Sequence, residues 1–200
     1  MAFFTKSEAR TAASVGRQTQ RGAGKTFDRI LKEEATAARD NDEFDIFLSH
    51  SINDAELILG FKALLERQGF KVYVDWVDDP QLNRQTVSKE TAQLLRQRMR
   101  QSKSLIYVAT DNASSSKWMP WELGFFDGFK PGCLALMPVM DNENQIFKGQ
   151  EYLSLYPIVQ KDHYSDGKPD IFVEERGVRW STLKRFGSGQ PLWAGYSRNT

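Results

Sequence analysis

From Phe44 onward the chain alternates between short runs that are apolar almost throughout and longer stretches with apolar residues at i, i+3 and i+4. Residues 44–48, Phe-Asp-Ile-Phe-Leu, read as a first buried strand. Leu57, Ile58, Phe61, Leu64 and Leu65 form the stripe of a helix that Asn53 or Asp54 can cap and that Gly69 stops. Residues 71–74 are a second strand, followed by a polar loop over 75–85. The spacing predicts a helix over 86–100 that turns Val87, Thr91, Leu94, Leu95 and Met99 inward. Residues 105–109, 133–139 and 155–159 read as a third, fourth and fifth strand, with a helix around Glu122 between the third and fourth. Beyond Val159 the pattern weakens to a short strand over 170–174 and a short helix over 179–185. Residues 187–200, rich in Gly and Ser, read as loose.

Short apolar strands separated by amphipathic helices imply a parallel sheet covered on both faces, an α/β doubly wound fold. Ligands in such folds bind beyond the carboxyl ends of the strands. Those ends are Ser49-His50-Ser51, Asp75-Trp76, Thr110-Asp111 and the loop before Glu122, which are expected along one edge. Residues 1–42 read as a basic, partly helical arm. Its first part carries Lys6, Arg10, Arg17, Arg21 and Lys25 against Glu8, and has too few aliphatic residues to bury a core of its own. Residues 27–39 are predicted to form a helix with Phe27, Ile30, Leu31 and Ala35 on one side. An oligomerisation arm, a disordered leader and an Arg-rich transit peptide all fit that composition. Residues 163–200 read as a C-terminal extension with a short strand and helix.

Glu122 stands out. At 100° per residue Phe125, Phe126 and Phe129 lie within about 60° of it on a helix, and a carboxylate among aromatics costs free energy unless something binds it. Pro120 suits the first turn of this helix. There the helix dipole favours the ionised carboxylate, whereas aromatic burial favours the neutral acid. By position Glu122 is either an N-terminal cap or the working group of a site.

Composition narrows the chemistry. With 27 Lys and Arg against 26 Asp and Glu, a net charge of +1 makes no electrostatic case for nucleic acid. No apolar run approaches the roughly 18 residues of a membrane span, and the start lacks a signal-peptide core, so a cytoplasmic protein is expected. Cys133 alone excludes an internal disulfide and reads as a small core residue. Two histidines and one cysteine argue against a protein-built zinc site. Gly22-Ala-Gly-Lys-Thr26 lacks the first glycine of a phosphate-binding loop, because that position is Thr19. No Gly-x-Ser-x-Gly elbow is present. Arg96, Arg98, Arg100 and Lys103 read as a solvated helix face.

Phe44-Asp-Ile-Phe-Leu-Ser-His-Ser51 resembles the opening strand of a Toll/interleukin-1 receptor (TIR) domain. Val72-Tyr-Val-Asp-Trp76 resembles the second strand entering the BB loop, and Ser102-Lys-Ser-Leu-Ile-Tyr-Val108 the third. Trp118-Met-Pro-Trp-Glu122 is similar to the Trp-x-x-x-Glu pattern of TIR domains that cleave NAD. The resemblance places the domain at 43–162 and implies a flavodoxin-like fold with a five-stranded parallel sheet. It also implies an NAD+ nucleosidase with Glu122 as catalytic residue. The products would be nicotinamide and ADP-ribose or a cyclic or conjugated derivative, a signal in immune or anti-phage defence. Substrate contacts would come from Ser49, His50, Ser51, Asp75, Trp76, Thr110 and Trp118, with no cofactor beyond the substrate. The implied partners are further TIR domains, including copies of itself, and an upstream sensor or downstream effector. The same resemblance also fits a non-catalytic TIR–TIR scaffold.

Overall fold

A computed structural model of the chain describes residues 1–19, 41–79, 87–142, 145, 147 and 149–196, without the side chains of residues 16–19, 76 and 77. The helix predicted over 27–39 and the latter part of the polar loop lie outside the described residues.

The chain enters as β1 (Phe4–Thr5) and α1 (Lys6–Thr19). There follow β2 (Phe44–Ser49), α2 (Ala55–Arg67), β3 (Val72–Tyr73), a short α3 (Asp75–Asp78), α4 (Lys89–Gln101) and β4 (Ser102–Ala109). Then come α5 (Met119–Phe129), β5 (Leu134–Met140), β6 (Ile158–His163), β7 (Pro169–Glu175), β8 (Arg179–Thr182), α6 (Leu183–Gly187) and β9 (Ala194–Gly195). The sheet order is β3-β2-β4-β5-β6-β7-β8-β9. Its first five strands pair in parallel, the flavodoxin order.

Period-2 alternation divides the core in two. Ile46, Leu48, Ile106, Val108, Ala135 and Met137 face α2, whose Leu57, Ile58, Phe61 and Leu65 cover them. Phe47, Tyr73, Leu105, Tyr107, Leu134 and Leu136 face Leu95 and Met99 of α4 and Met119, Leu123 and Phe126 of α5. Gly69 ends α2 with φ +90°, a conformation that favours glycine.

Both ends of the chain differ from expectation. β1 pairs in parallel with the carboxyl end of β5, Phe4 against Val139 and Thr5 against Met140. α1 lies on α2, where Gly60 brings the backbones so close that an added Cβ would stand 1.9 Å from the Ala9 carbonyl oxygen. Phe4, Ala9, Ala12 and Ala13 are buried, with the Phe4 ring edge-on to Phe61 at 5.9 Å. An arm with few aliphatic residues thus packs through alanines on a core built elsewhere. The C-terminal part continues the sheet as antiparallel strands. Residues 179–182, expected to be helical, are β8, and the helix begins only after the Thr182 cap. Leu183 and Phe186 join the α2-side core.

Candidate active site

The carboxyl ends of β2 and β4 adjoin at the point where the chain reverses direction across the sheet, from β3 on one side to β4 on the other. Ser49 closes β2 and faces Tyr107 of β4 in register, both on the α5 side. α5 begins at Met119 with Pro120 in its first turn, and Ser116 Oγ, not Glu122, accepts from the Met119 N–H at 3.2 Å. Glu122 is 0% exposed, and its Oε2 accepts from Ser49 Oγ at 2.6 Å. Its N–H donates to the Trp118 carbonyl at 2.8 Å. Burial above all, with the neighbouring Tyr152 phenol and the Glu122 carboxyl group, pushes the Tyr107 hydroxyl well above the ordinary tyrosine range, so it stays a neutral hydrogen-bonding group.

The aromatic neighbourhood read from the helical wheel splits in two. Phe126 is fully buried beside Glu122. Trp121, Phe125 and Phe129 instead form a stacked ladder on the outer side, at 5.9 and 6.1 Å between centroids, with Phe129 42% exposed. The wheel assigns direction but not depth, and Phe129 closes the helix where no described element covers it.

Trp118 is buried edge-on to Trp121 at 5.4 Å. It lines a cleft of about 170 Å3 with Ser51, Asn53, Ser115, Ser116 and Lys117. Ser51 Oγ also accepts from the Asn53 N–H at 3.4 Å. His50 is 1% exposed; Nδ1 stands 2.7 Å from the Leu48 carbonyl and Nε2 3.3 Å from Asp75 Oδ1. Only the doubly protonated ring donates to both acceptors at once. His50 and Asp75 thus face each other and tie β2 to the start of α3. The side chain of Trp76 lies outside the described ones. Thr110 stands apart from the Trp118 cleft. Its hydroxyl donates to the buried carboxylate of Asp54, which Asn112 Nδ2 also meets at 2.7 Å.

Two groups of the site's surroundings are not singled out by sequence motifs. Tyr107 lies within an apolar strand, yet alternation puts it on the face of Leu105 and its register opposite Ser49. Arg98, expected on a solvated face, is 3% exposed and forks onto the fully buried Asp79, Nε to Oδ2 at 2.6 Å and Nη2 to Oδ1 at 2.9 Å. Tyr73 Oη adds a third bond to Asp79 at 2.9 Å. The signal was present, since Arg98 lies at i+3 from Leu95 and i+7 from Thr91, on the buried stripe. Arg96 and Arg100 lie over the outer aromatic ladder, and Lys103 bonds Asp45 at 2.8 Å. Val87, 67% exposed, precedes the Ser88 cap of α4 and so lies outside the inward stripe.

A flavodoxin-like sheet with a buried glutamate at its switch point, on the first turn of the helix after the third parallel strand of the array, defines a doubly wound α/β domain with a carboxylate at the carboxyl edge of its strands. Within that class the chain belongs to the TIR domain family, whose pattern matches residues 46–166. A probable 3′ cyclic ADP-D-ribose synthase ThsB′ of Bacillus cereus is 52% identical over 122 residues, which cover 60% of this chain and 63% of that protein. A putative cyclic ADP-D-ribose synthase TIR2 of Cytobacillus dafuensis is 31% identical over 100 residues, 50% of this chain and 26% of that protein. The chain thus spans less than two thirds of each of these curated relatives. Among the described residues no helix is long and apolar enough to cross a membrane, and no group of three or more His, Cys, Asp or Glu is placed to hold a metal ion.

Proposed function

We propose that this chain cleaves the bond between nicotinamide and ribose in NAD+ and releases a cyclic ADP-ribose type of signal. The observation that carries the proposal is Glu122, wholly buried at the switch point and oriented by the Ser49 hydroxyl. Loss of nicotinamide leaves an oxocarbenium-like ribose, and a fixed carboxylate in a site of low dielectric stabilises that charge. The pyridinium is already a good leaving group, so one carboxylate suffices and no cofactor is needed. The names of the two relatives support a cyclising outcome. Ser51 and Trp118 would border the ribose from the neighbouring cleft, with Asp75 and Trp76 beside it. The His50–Asp75 contact would hold the strand end in place, and Thr110 would act from the far side of β4.

A carboxylate this deeply buried describes a resting arrangement. Binding needs the side chains above it to part, and self-association of TIR domains in the cytoplasm would drive that opening. The product would then serve an effector in anti-phage defence. The cation-capped ladder of Trp121, Phe125 and Phe129 favours a second reading, a TIR–TIR interaction module without turnover.

Purified protein, dilute and concentrated, is incubated with NAD+ and nicotinamide release is followed. The wild type is expected to turn over, and Glu122→Gln to lose about 3–4 kcal/mol of barrier lowering, a 100- to 1,000-fold fall in rate, with an unchanged circular dichroism spectrum. Equal turnover by Glu122→Gln rejects the mechanism. No turnover by the wild type in any assembly state favours the interaction module.

A further inference from the structure

β5 and β6 are neighbours in the sheet but share one pair in register, Leu136 with Ile158. Two residues further along β5 stands Pro138, which has no N–H to continue the ladder. Beyond it the strands part, and the N-terminal segment fills the gap. Ala2 exchanges both backbone bonds with Lys161 of β6 at 2.8 Å, and β1 pairs with the end of β5. Against this split lies a cavity of about 790 Å3, within the usual range for small-molecule sites, about 300–1,000 Å3. It shares no residue with the Ser51–Trp118 cleft and includes neither Tyr107 nor Glu122. Phe3, Leu136, Leu153, Tyr156 and Ile158 give it apolar walls. Gln160 follows Ile158 on the same face of β6 and lines the cavity at 5% exposure, and its carboxamide has no hydrogen bond among the described residues. Glu151 and Arg176 are exposed at the mouth and form no ion pair with each other or with any described residue. Arg176 lies four residues beyond Phe172, the partner of Gln160, so mouth and floor stand roughly 13 Å apart along the strand, less the reach of the two side chains.

We propose that this cavity binds a free aromatic α-amino acid whose side chain ends in a hydrogen-bonding group. The α-ammonium pairs with Glu151, and the α-carboxylate takes the fork of Arg176. The ring lies among Phe3, Leu136, Tyr156 and Ile158, and its N–H or O–H tip meets the Gln160 carboxamide. A carboxamide buried without a partner costs free energy, which a ligand with a matching tip recovers and a wholly apolar one does not. Two free charges of opposite sign at one mouth select a zwitterion over an anion or a cation. The walls come from the N-terminal segment, the turn over Glu151–Leu155 and the β6–β7 hairpin, so a bound ligand joins parts of the chain that few backbone bonds hold together. It thereby stabilises the folded state by mass action. The proposal stands apart from the NAD+ reading, because no residue it uses belongs to the Glu122 site.

The probe is L-tryptophan, titrated calorimetrically into full-length protein beside three analogues that each lack one group. Phenylalanine lacks the tip, tryptamine the carboxylate and indole-3-propionate the ammonium. Tryptophan is expected to bind one to one with a Kd below about 1 mM, and each analogue about tenfold more weakly, the scale of one lost polar contact. Three variants assign the contacts. Arg176→Ala is expected to weaken tryptophan about tenfold and leave tryptamine unchanged, and Glu151→Gln to weaken tryptophan about tenfold and leave indole-3-propionate unchanged. Gln160→Leu is expected to abolish the preference for tryptophan over phenylalanine, with a ligand-free Tm no lower than that of the wild type, since it removes an unpaired buried amide. The exposed positions of Glu151 and Arg176 keep the test valid should the Gln160 variant fold poorly. No saturable binding of tryptophan up to about 10 mM overturns the proposal. So does equal affinity for tryptophan and its three analogues, or tryptophan affinity unchanged in both charge variants.

Discussion

The side chains that decide this molecule are charges placed where water does not reach. Glu122 and Asp79 are both fully buried, but their surroundings give them different work. Glu122 meets the Ser49 hydroxyl at the carboxyl end of β2. Asp79 meets a guanidinium in a two-bond fork, a static lock at the end of α3. Removing one partner of such a pair leaves the other charge buried and uncompensated, which typically costs about 3–5 kcal/mol. Asp79→Ala is therefore expected to lower unfolding free energy in urea by about that amount, whereas Asp79→Leu combined with Arg98→Met recovers much of the loss. A double variant as unstable as the single one would show that the pair contributes more than mutual neutralisation. Burial and the neighbouring acids Asp75 and Asp79 hold the Tyr73 hydroxyl well above its ordinary range, so it remains the donor of the third bond at any working pH.

Among the elements, α1 shows how a segment with little apolar surface can still dock. Helix–helix contact needs close approach, and Gly60 supplies it against Ala9. Gly60→Val is expected to push α1 off α2 at a cost of about 1–3 kcal/mol, seen as fast amide exchange over residues 4–15 while the β4 amides stay protected. The same docking depends on pH through Glu8. Burial raises its carboxyl pKa, but bonds from Lys161 and from the Thr5 N–H and hydroxyl outweigh that and hold it below its ordinary value of 4.5. A carboxyl depressed in the folded state stabilises at pH above its unfolded value, and that contribution disappears as pH falls through the folded value. The Tm gap between wild type and Glu8→Gln is thus expected to be constant above about pH 5 and to close as the pH drops below it. A gap that widened in acid would contradict the assignment.

For the molecule as a whole, the family match and the folding unit have different limits. The match ends at residue 166, but the sheet does not. β7 pairs with β6 along its length, and α6 returns Leu183 and Phe186 to the core beside Phe70 and Leu65. A chain ended at 166 would leave β6 as an open edge and uncover that part of the core. It is expected to be insoluble or to bind hydrophobic dyes strongly, measured against full-length protein at equal concentration; a soluble, cooperatively unfolding fragment would place the folding boundary at the family boundary.

The doubly wound class, the place of Glu122 near the carboxyl edge of the sheet and the order of strands and helices from 44 to 163 were determined by the sequence alone, apart from the short α3 in the expected loop and a fifth strand that begins at Ile158 and not at Leu155. Each follows from local period, capping residues and a motif a few residues long, which the chain carries whatever its neighbours. Tertiary structure alone decided what those residues meet. The pairing of Ser49 with Glu122, the burial of Arg98 on Asp79 and the His50–Asp75 contact all join positions far apart in the chain. The docking of α1 and the turn of 179–182 into strand have the same cause: weak local preference yields to a partner already in place. Period records which way a side chain points, whereas depth and partner are properties of the packed whole.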